Sequence, residues 1–317
     1  MFIYWLWLSL KARSFLFFSA SNPGILAGGM LGESKFNVLQ KIPPIYTPNS
    51  MLIHYPITAE ELLQKFKQEG FSFPVIFKPD LGERGWMVKK IRSEADLRSY
   101  VANAKWDFIV QAYVSLPLEF SVFYARYPEK ENGEVTSITK KEMLKVKGDG
   151  KSTLQELILN KDRAKLQWSI LKNTYANQLK TVPAWGEEIE LVSIGNHCLG
   201  TTFLNQNHLI SNKLSESFDK ISKQVSGFYF GRYDLRVASL QDLENGKIMV
   251  MELNGCGAEP SHIYHPGASF FKAISNLVAH WRMIYNISIA NHKRGVPYLS
   301  LKEGKQIYNK FKTVTTS

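Results

Sequence analysis

Cysteine is scarce in this sequence, with two residues in 317. Two cysteines exclude a disulfide framework and make a reducing cytoplasm the expected compartment. No run of about twenty apolar residues opens the chain, because Lys11 and Arg13 interrupt its apolar start, so no membrane span is predicted there. Long basic runs are also missing, although Lys and Arg outnumber Asp and Glu by 39 to 28, and nucleic-acid binding is therefore not expected.

The composition that remains is typical of a folded globular protein, with 44% hydrophobic and 21% charged residues. The apolar segment over residues 1–18 is expected to form a helix packed on the core. The alternative is a helix that lies on a membrane surface. From about residue 302 the sequence is polar and basic, and this tail is expected to be mobile.

Helix and strand patterns are interspersed along the chain, and several strand pairs look like hairpins. Residues 58–70 predict a helix with a capping box from Thr58 to Glu61, and a second capping box is expected from Ser152 to Gln155. A long helix is expected over 267–291. Strands are predicted over 73–79, 107–114, 119–127, 135–146, 228–238 and 247–254. This order predicts an α+β fold rather than a doubly wound parallel sheet.

Three oxygen-bearing side chains lie on two of these strands. Asp234 lies inside one strand, and Glu252 and Asn254 lie two residues apart at the end of another, so both point to the same sheet face. Carboxylate and amide oxygens suit a hard cation such as Mg²⁺ or Mn²⁺. The alternative is a structural strand pair, in which one acid forms a salt bridge with Arg232 or Arg236.

Two lysines lie near glycine-rich loops. Lys78 ends a strand ahead of a loop that contains Gly82 and Gly85, and such a loop can surround phosphates with backbone N–H groups. Lys35 follows the glycine-rich segment at 28–34. The spacing is not that of a Walker A motif, and a hairpin turn with a surface lysine is the alternative. Further along, the extended segment Gln111, Ala112, Tyr113 and Val114 can offer backbone groups to an adenine edge, and Glu119 can bind ribose hydroxyls.

In this order, the motifs resemble those of the ATP-grasp superfamily over roughly residues 35–265. The likeness is greatest to D-alanine–D-alanine ligases and to the amide-ligase part of cyanophycin synthetase. The resemblance implies an ATP-grasp fold in which two α+β subdomains clamp ATP. It also implies phosphate contacts from Lys35, Lys78, Gly82 and Gly85, an adenine hinge at 111–114, a ribose acid at Glu119, metal ligands at Asp234, Glu252 and Asn254, and an acyl-phosphate contact from Arg232.

The resemblance also has departures. Gln111 stands where the family more often has an acid, and Glu83 and Arg84 stand where the D-alanine ligases have serines. The N-terminal domain is reduced to about fifty residues, so a D-alanine substrate is poorly supported. The implied domains are a reduced N-terminal segment (1–50), an ATP-grasp lid subdomain (51–114), a core subdomain with the metal site (115–295) and a basic tail (296–317).

The implied activity is an ATP-dependent carboxylate–amine ligase that forms an acyl phosphate, with ATP and Mg²⁺ or Mn²⁺ as cofactors. Lys141 and the backbone of Gly257 are further catalytic candidates, the latter as a donor to a tetrahedral intermediate. Cys256 is expected to be a small residue beside a substrate loop rather than a nucleophile. His262 and His265 can touch substrate or be structural. The alternatives are a small-molecule kinase and a catalytically silent nucleotide-binding module at a membrane surface.

Overall fold

The fold is that of a computed structural model, which describes residues 1–82, 85–192, 195 and 199–316. Within these residues the α-helices are α1 (Phe2–Ala12), α2 (Lys35–Leu39), α3 (Ala59–Gln68), α4 (Glu94–Asn103), α5 (Leu154–Leu159), α6 (Asp162–Lys165), α7 (Trp168–Thr174), α8 (Asn212–Ser222), α9 (Leu240–Glu244), α10 (Phe270–Lys293) and α11 (Leu301–Thr316). The strands are β1 (Ser50–Ile53), β2 (Val75–Pro79), β3 (Lys89–Ile91), β4 (Phe108–Ala112), β5 (Leu118–Ala125), β6 (Glu134–Glu142), β7 (Lys145–Lys147), β8 (Glu188–Glu190), β9 (Thr202–Asn205), β10 (Phe230–Val237) and β11 (Met249–Asn254). Mixed helices and antiparallel strand pairs confirm the predicted α+β class.

The chain divides into two compact units, residues 1–140 with 205–317 and residues 141–204. In the first unit, one sheet has the strand order β1-β4-β2-β3 and another contains the order β11-β10-β5-β6. The second unit contains the β7–β8 pair and a core of its own that includes Leu154, Ile158 and Leu171. The domain boundaries that we expect from the sequence stay a prediction.

Strand β5 has both faces buried, because its sheet lies between two hydrophobic cores. Phe120, Val122 and Tyr124 belong to a core that α2 and α8 help to form. The opposite face carries Phe123 and Ala125, which pack in a core with α1 and α10. The apolar residues therefore leave only part of the second face for polar side chains.

Local signals in the sequence determine several helix starts. The Thr58 hydroxyl accepts from the Glu61 N–H, and the Glu61 carboxylate accepts from the Thr58 N–H, which confirms the predicted capping box. The second predicted box was wrong by one residue, since α5 is capped by Thr153 with Glu156. Both pairs fit the same sequence pattern. Ser152 instead donates its hydroxyl to Asp149.

The C-terminal segment is a helix rather than the mobile tail that we expected. On α11, Ile307 lies against Gly32, and Gly304 lies against Leu16. Val314 packs beside the core of the four-stranded sheet. The apolar side chains are spaced along one face, which explains the helix. The polar and basic composition of the segment does not reveal this spacing. Among the described residues, no helix is both long enough and apolar enough for a membrane span.

Candidate active site

The pairing of β10 with β11 forms the centre of the site. Arg232 lies opposite Asn254, and Asp234 lies opposite Glu252 in the antiparallel register. Residues directly opposite in a sheet share a face, so the four side chains are on one face. The oxygen-bearing residues Asp234, Glu252 and Asn254 are thus brought together, as the strand pattern predicts.

Asp234 is buried and is contacted from several sides. Its Oδ2 atom accepts from Arg232 Nη2 and from Asn254 Nδ2, both at 3.1 Å. Ser121 on the neighbouring β5 donates its hydroxyl to Oδ1. Burial opposes the charge on Arg232, but the attraction of Asp234 outweighs it and raises the pKa of the guanidinium. Arg232 is therefore charged at neutral pH.

The salt bridges of the alternative interpretation are present too. Arg232 pairs with Asp234, and Arg236 Nε donates to Glu119 Oε2 at 2.9 Å. Arg232 also donates from Nη1 to the Glu259 carbonyl at 3.0 Å, in the loop that follows β11. An ion pair and a cation site can share Asp234, so the pairing does not decide between the two interpretations.

Glu252 distinguishes this face from an ordinary ion-pair network. Its side chain is partly buried, and within the described part of the chain it has no hydrogen bond or ion pair. A partly buried carboxylate is costly unless a cation or a donor meets it. No group of three or more His, Cys, Asp or Glu residues suited to a metal occurs among the described residues, so a cation here would be held by two carboxylates and the Asn254 amide.

Lys78 at the end of β2 is brought close to the same acids. Its ammonium donates to the Met251 carbonyl at 2.9 Å and to Gln111 Oε1 at 3.2 Å. Burial lowers the pKa of Lys78 to about 8, and the negative charge of Glu252 opposes that shift. The Gln111 side chain, which we expect at the adenine hinge, is thus turned toward the lysine.

The side chain of Lys35, at the start of α2, contacts the glycine loop. Its ammonium donates to the carbonyl of Gly82 at 2.5 Å and to that of Asp80 at 3.3 Å. The Asp80 carboxylate in turn accepts from the Ser34 hydroxyl and the Phe36 N–H, both at 2.9 Å. The N-terminus of α2 is therefore fixed to the start of the loop, and Lys35 lies against Gly82. The phosphate contacts of both residues stay a prediction. The loop residues Glu83 and Arg84 lie outside the described residues.

The expected adenine hinge follows β4 directly. Arg236 Nη1 donates to the Val114 carbonyl at 2.7 Å and to the Tyr113 hydroxyl at 3.3 Å, while its Nε holds Glu119. Ala112 is the last residue of the strand. One arginine thus joins the expected hinge to the expected ribose acid. The sequence alone indicates only a structural role for Arg236, because a lone arginine on a strand carries no ligand signal.

The Gly257 prediction was wrong. Its N–H donates to the Gly29 carbonyl at 2.8 Å, and the Cys256 N–H donates to the Gly28 carbonyl at 3.0 Å. The first of these bonds uses the Gly257 donor that we expect to face a tetrahedral intermediate. Burial raises the pKa of Cys256 to about 12, which agrees with a packing residue rather than a nucleophile. Sequence patterns could not show this loop-to-loop contact, because the two segments are far apart in the chain.

A pocket of about 310 Å³ opens beyond this loop, where α10 begins. His262, His265 and Lys272 line it, together with Ser269 at the helix N-cap. His265 Nδ1 accepts from the Asn205 N–H at 3.3 Å. His262 is nine-tenths buried, and its Nδ1 has no partner within the described residues; burial lowers its pKa. The helix N-terminus and Lys272 make the pocket attractive to an anion.

Sequence reasoning did not identify two residues of the surroundings, His280 and Ser121. His280 on α10 is buried between Phe123 and Phe230, and burial lowers its pKa to about 3. The sequence around Ser121 predicts a strand but indicates no role in a site. Lys141 belongs to the second unit, where its ammonium lies 6.0 Å from the Phe203 ring centroid.

Residues 33–119 match the family model of the RimK-like ATP-grasp domain. That range contains Lys35, Lys78, the glycine loop and the hinge, so the ATP-grasp resemblance is confirmed for the expected ATP-binding part. No curated protein matches the chain significantly.

Three solved structures illustrate what the fold is similar to. They are D-alanine–D-alanine ligase from Bacillus anthracis (15% identity, TM-score 0.44, 83% of this chain and 68% of that one), bifunctional glutathione synthetase from Pasteurella multocida (14%, 0.40, 79% and 35%) and VanG D-Ala:D-Ser ligase from Enterococcus faecalis (12%, 0.43, 80% and 62%). The chain thus spans about one third to two thirds of the length of these proteins.

Proposed function

We propose that this chain is an ATP-dependent carboxylate–amine ligase, which forms an amide or peptide bond and releases ADP and phosphate. One observation carries the proposal: Asp234 and Glu252 lie opposite each other, beside Arg232 and Asn254, on one face of β10 and β11. The RimK-like ATP-grasp match over residues 33–119 supports ATP as the nucleotide.

The donor set of this face fits Mg²⁺ or Mn²⁺. All three proposed ligands, Asp234, Glu252 and Asn254, offer oxygen, and the Glu252 carboxylate has no hydrogen bond or ion pair within the described residues. A cation held there would neutralise charge on the nucleotide phosphates. Arg232 already shares Asp234, so it can remain beside the cation.

ATP binding is assigned to residues of the first unit. Lys78 neutralises phosphate oxygens, and Lys35 holds the glycine loop by its carbonyls so that the loop N–H groups of Gly82 and Gly85 are available to phosphate. Ala112, Tyr113 and Val114 contact adenine, and the Gln111 amide holds Lys78. Glu119 accepts from the ribose hydroxyls while Arg236 keeps its position.

The reaction then has two steps. A substrate carboxylate oxygen attacks the γ-phosphorus of ATP, the bond to the β-phosphate oxygen breaks, and ADP leaves. The amine nitrogen attacks the acyl carbon of the resulting acyl phosphate, loses a proton, and phosphate departs. Arg232 stabilises the charge on the transferring phosphoryl group, and Lys141 stays a further catalytic candidate. Most of the work is positioning and charge neutralisation.

The anion-attracting pocket at the start of α10 supports an acidic substrate. Lys272, the helix N-terminus and the buried His262 ring are suited to a carboxylate or a phosphate group. Arg232 bonds to the Glu259 carbonyl in the intervening loop, which links the pocket to the reaction centre. We propose that one of the two substrates carries an acidic group that binds here. The proposed compartment is the cytoplasm.

The test is ADP release from Mg²⁺-ATP with pooled amino acids and dipeptides, with the product mass read in parallel. A ligase requires two pool members and gives a product lighter than their sum by one water. Release with one member and a phosphorylated product would establish a small-molecule kinase instead. Tight ATP binding without release from any acidic or neutral pool would favour the silent module.

A further inference from the structure

Helix α1 is apolar on both of its long faces. Leu8 is buried, and Tyr4, Trp5 and Ala12 pack in the core that α10 shares. On the other face, Ile3 is 83% exposed and Leu10 is 66% exposed, with Trp7 between them. A surface helix normally has polar side chains on its outer face. The outer apolar face of α1, defined by Ile3, Trp7 and Leu10, therefore needs a partner.

The charges around this face favour an anionic partner. Residues 1–32 contain no Asp or Glu, and the charged side chains there are Lys11 and Arg13, which are both exposed. The Lys11 ammonium lies 4.1 Å from the centre of the Trp7 ring. A cation at the edge of an aromatic and aliphatic face is the arrangement of side chains at a membrane interface.

Helix α11 adds further basic side chains nearby. Gly304 lies against Leu16, three residues after Arg13, and the exposed Lys302 and Lys305 flank that glycine. Glu303 is the one acid of α11, and its carboxylate is bound by Ser300. The cations therefore outnumber the acids around the end of α1.

We propose that the outer face of α1 binds the surface of a lipid bilayer that contains anionic headgroups. Ile3, Trp7 and Leu10 insert into the acyl boundary, while Lys11 and Arg13 contact the headgroups. The inner face stays packed, so the helix lies in the plane of the interface and does not cross the bilayer. This inference is independent of the proposed ligase activity.

The first experiment is sedimentation of the full chain with vesicles of phosphatidylcholine alone or with about one quarter phosphatidylserine. We expect binding to the mixed vesicles and much weaker binding to the neutral ones. I3S/L10S should lower affinity for mixed vesicles by about tenfold per residue. K11Q/R13Q should lower it by about fivefold per residue and leave binding to neutral vesicles unchanged.

The matched control is Trp185→Ser, which removes an equally exposed large apolar side chain (82% exposed) from the second unit. It should leave vesicle binding unchanged, and all variants should keep the melting temperature of the parent. K11Q/R13Q alters no packed side chain, so it tests the proposal even if I3S/L10S does not fold.

Three results would overturn the proposal. One is equal binding to neutral and anionic vesicles, and another is an equal loss of binding in Trp185→Ser. The third is a chain that ignores vesicles but self-associates in light scattering, with I3S/L10S abolishing the association. In that case the face is an interface between copies of this chain.

Discussion

Glu252 is the residue at which a cation site and a structural ion-pair network differ most. In a network of ion pairs each buried acid has a basic partner, as Asp234 has Arg232 and Glu119 has Arg236. Glu252 lies opposite Asp234 and attracts the charges of Lys78 and Arg232, but among the described residues its carboxylate has no hydrogen bond or ion pair. Its carboxylate is therefore the most informative atom group to change.

Glu252→Gln is expected to lower turnover by about 10²–10³ while the fold survives, because it removes the charge and keeps the shape. Asp234→Asn should lower turnover similarly, at a cost in stability, since it leaves the partly buried Arg232 without its charge partner. The measurement is ADP release per chain, beside a melting curve. Glu131→Gln, at an exposed acid, is the control and should retain full activity. Parent-like turnover in Glu252→Gln would remove the basis for the metal assignment.

Lys78 gives the site a pH dependence. Its pKa of about 8 in the folded chain lies below the ordinary 10.5, so the folded state loses this proton first, and this group makes stability rise with pH between those values. The affinity for ATP should instead fall as the pH rises. Above about pH 8 the neutral amine no longer attracts phosphate, so the KM for ATP should rise by about tenfold per pH unit.

The variant that isolates this effect is Lys78→Arg, whose guanidinium stays charged over the whole range. It should raise the KM for ATP at neutral pH, because its geometry differs, but the rise above pH 8 should vanish. A parent KM that is flat from pH 7 to 10 would contradict a phosphate contact by Lys78. Measurement of kcat in the same assays separates binding from later steps.

At the scale of elements, the contact between the loop at 28–30 and the loop at 255–257 fixes the end of β11. A Cβ on Gly255 would lie 2.3 Å from the Gly28 carbonyl oxygen and 2.7 Å from the Gly29 Cα. Both neighbours are backbone, so they cannot rotate away. Asn254 directly precedes this contact, and its position depends on it.

Gly255→Ala is therefore expected to destabilise the chain by about 1–3 kcal/mol and to lower turnover as well. Gly70→Ala is the matched comparison, because its Cβ would meet nothing within 4 Å but its φ is +68°. Strain alone should cost about 1–2 kcal/mol there and leave the Asn254 contacts intact. Denaturant melts and ADP release measure the two effects. Equal activity in the two variants would contradict a positioning role for the loop contact.

Sequence patterns predicted the elements of the site better than its hydrogen bonds. The strand periodicity placed Glu252 and Asn254 on one face, and the register across β10 and β11 agrees with it. The partners of backbone donors could not be predicted, as Gly257 demonstrates, because its acceptor lies in a segment more than two hundred residues away. The capping-box pattern fits both Ser152 with Gln155 and Thr153 with Glu156. Only the structure shows that Thr153 caps the helix.

At the scale of the whole molecule, α11 is the element that composition misrepresents most. Its polar and basic residues suggest a tail, yet its apolar residues lie on one face and meet parts of the chain that are far apart in sequence. Ile307 contacts Gly32, which leads into Lys35, and Val314 packs beside the core of the four-stranded sheet. The helix thus joins the start of the chain to the part that matches the RimK-like ATP-grasp domain.

Ile307→Ser should reduce the free energy of unfolding by about 1–2 kcal/mol, because a partly buried aliphatic side chain leaves its contact with Gly32. It should also raise the KM for ATP modestly, since the segment before Lys35 loses its support. Tyr308→Ser removes an exposed large side chain one position along the same helix and should change stability by less than about 0.5 kcal/mol. Thermal melting of the two variants measures this difference in stability. If they melt together with the parent, α11 contributes nothing to the stability of the chain, and the packing of Ile307 on Gly32 has no energetic role.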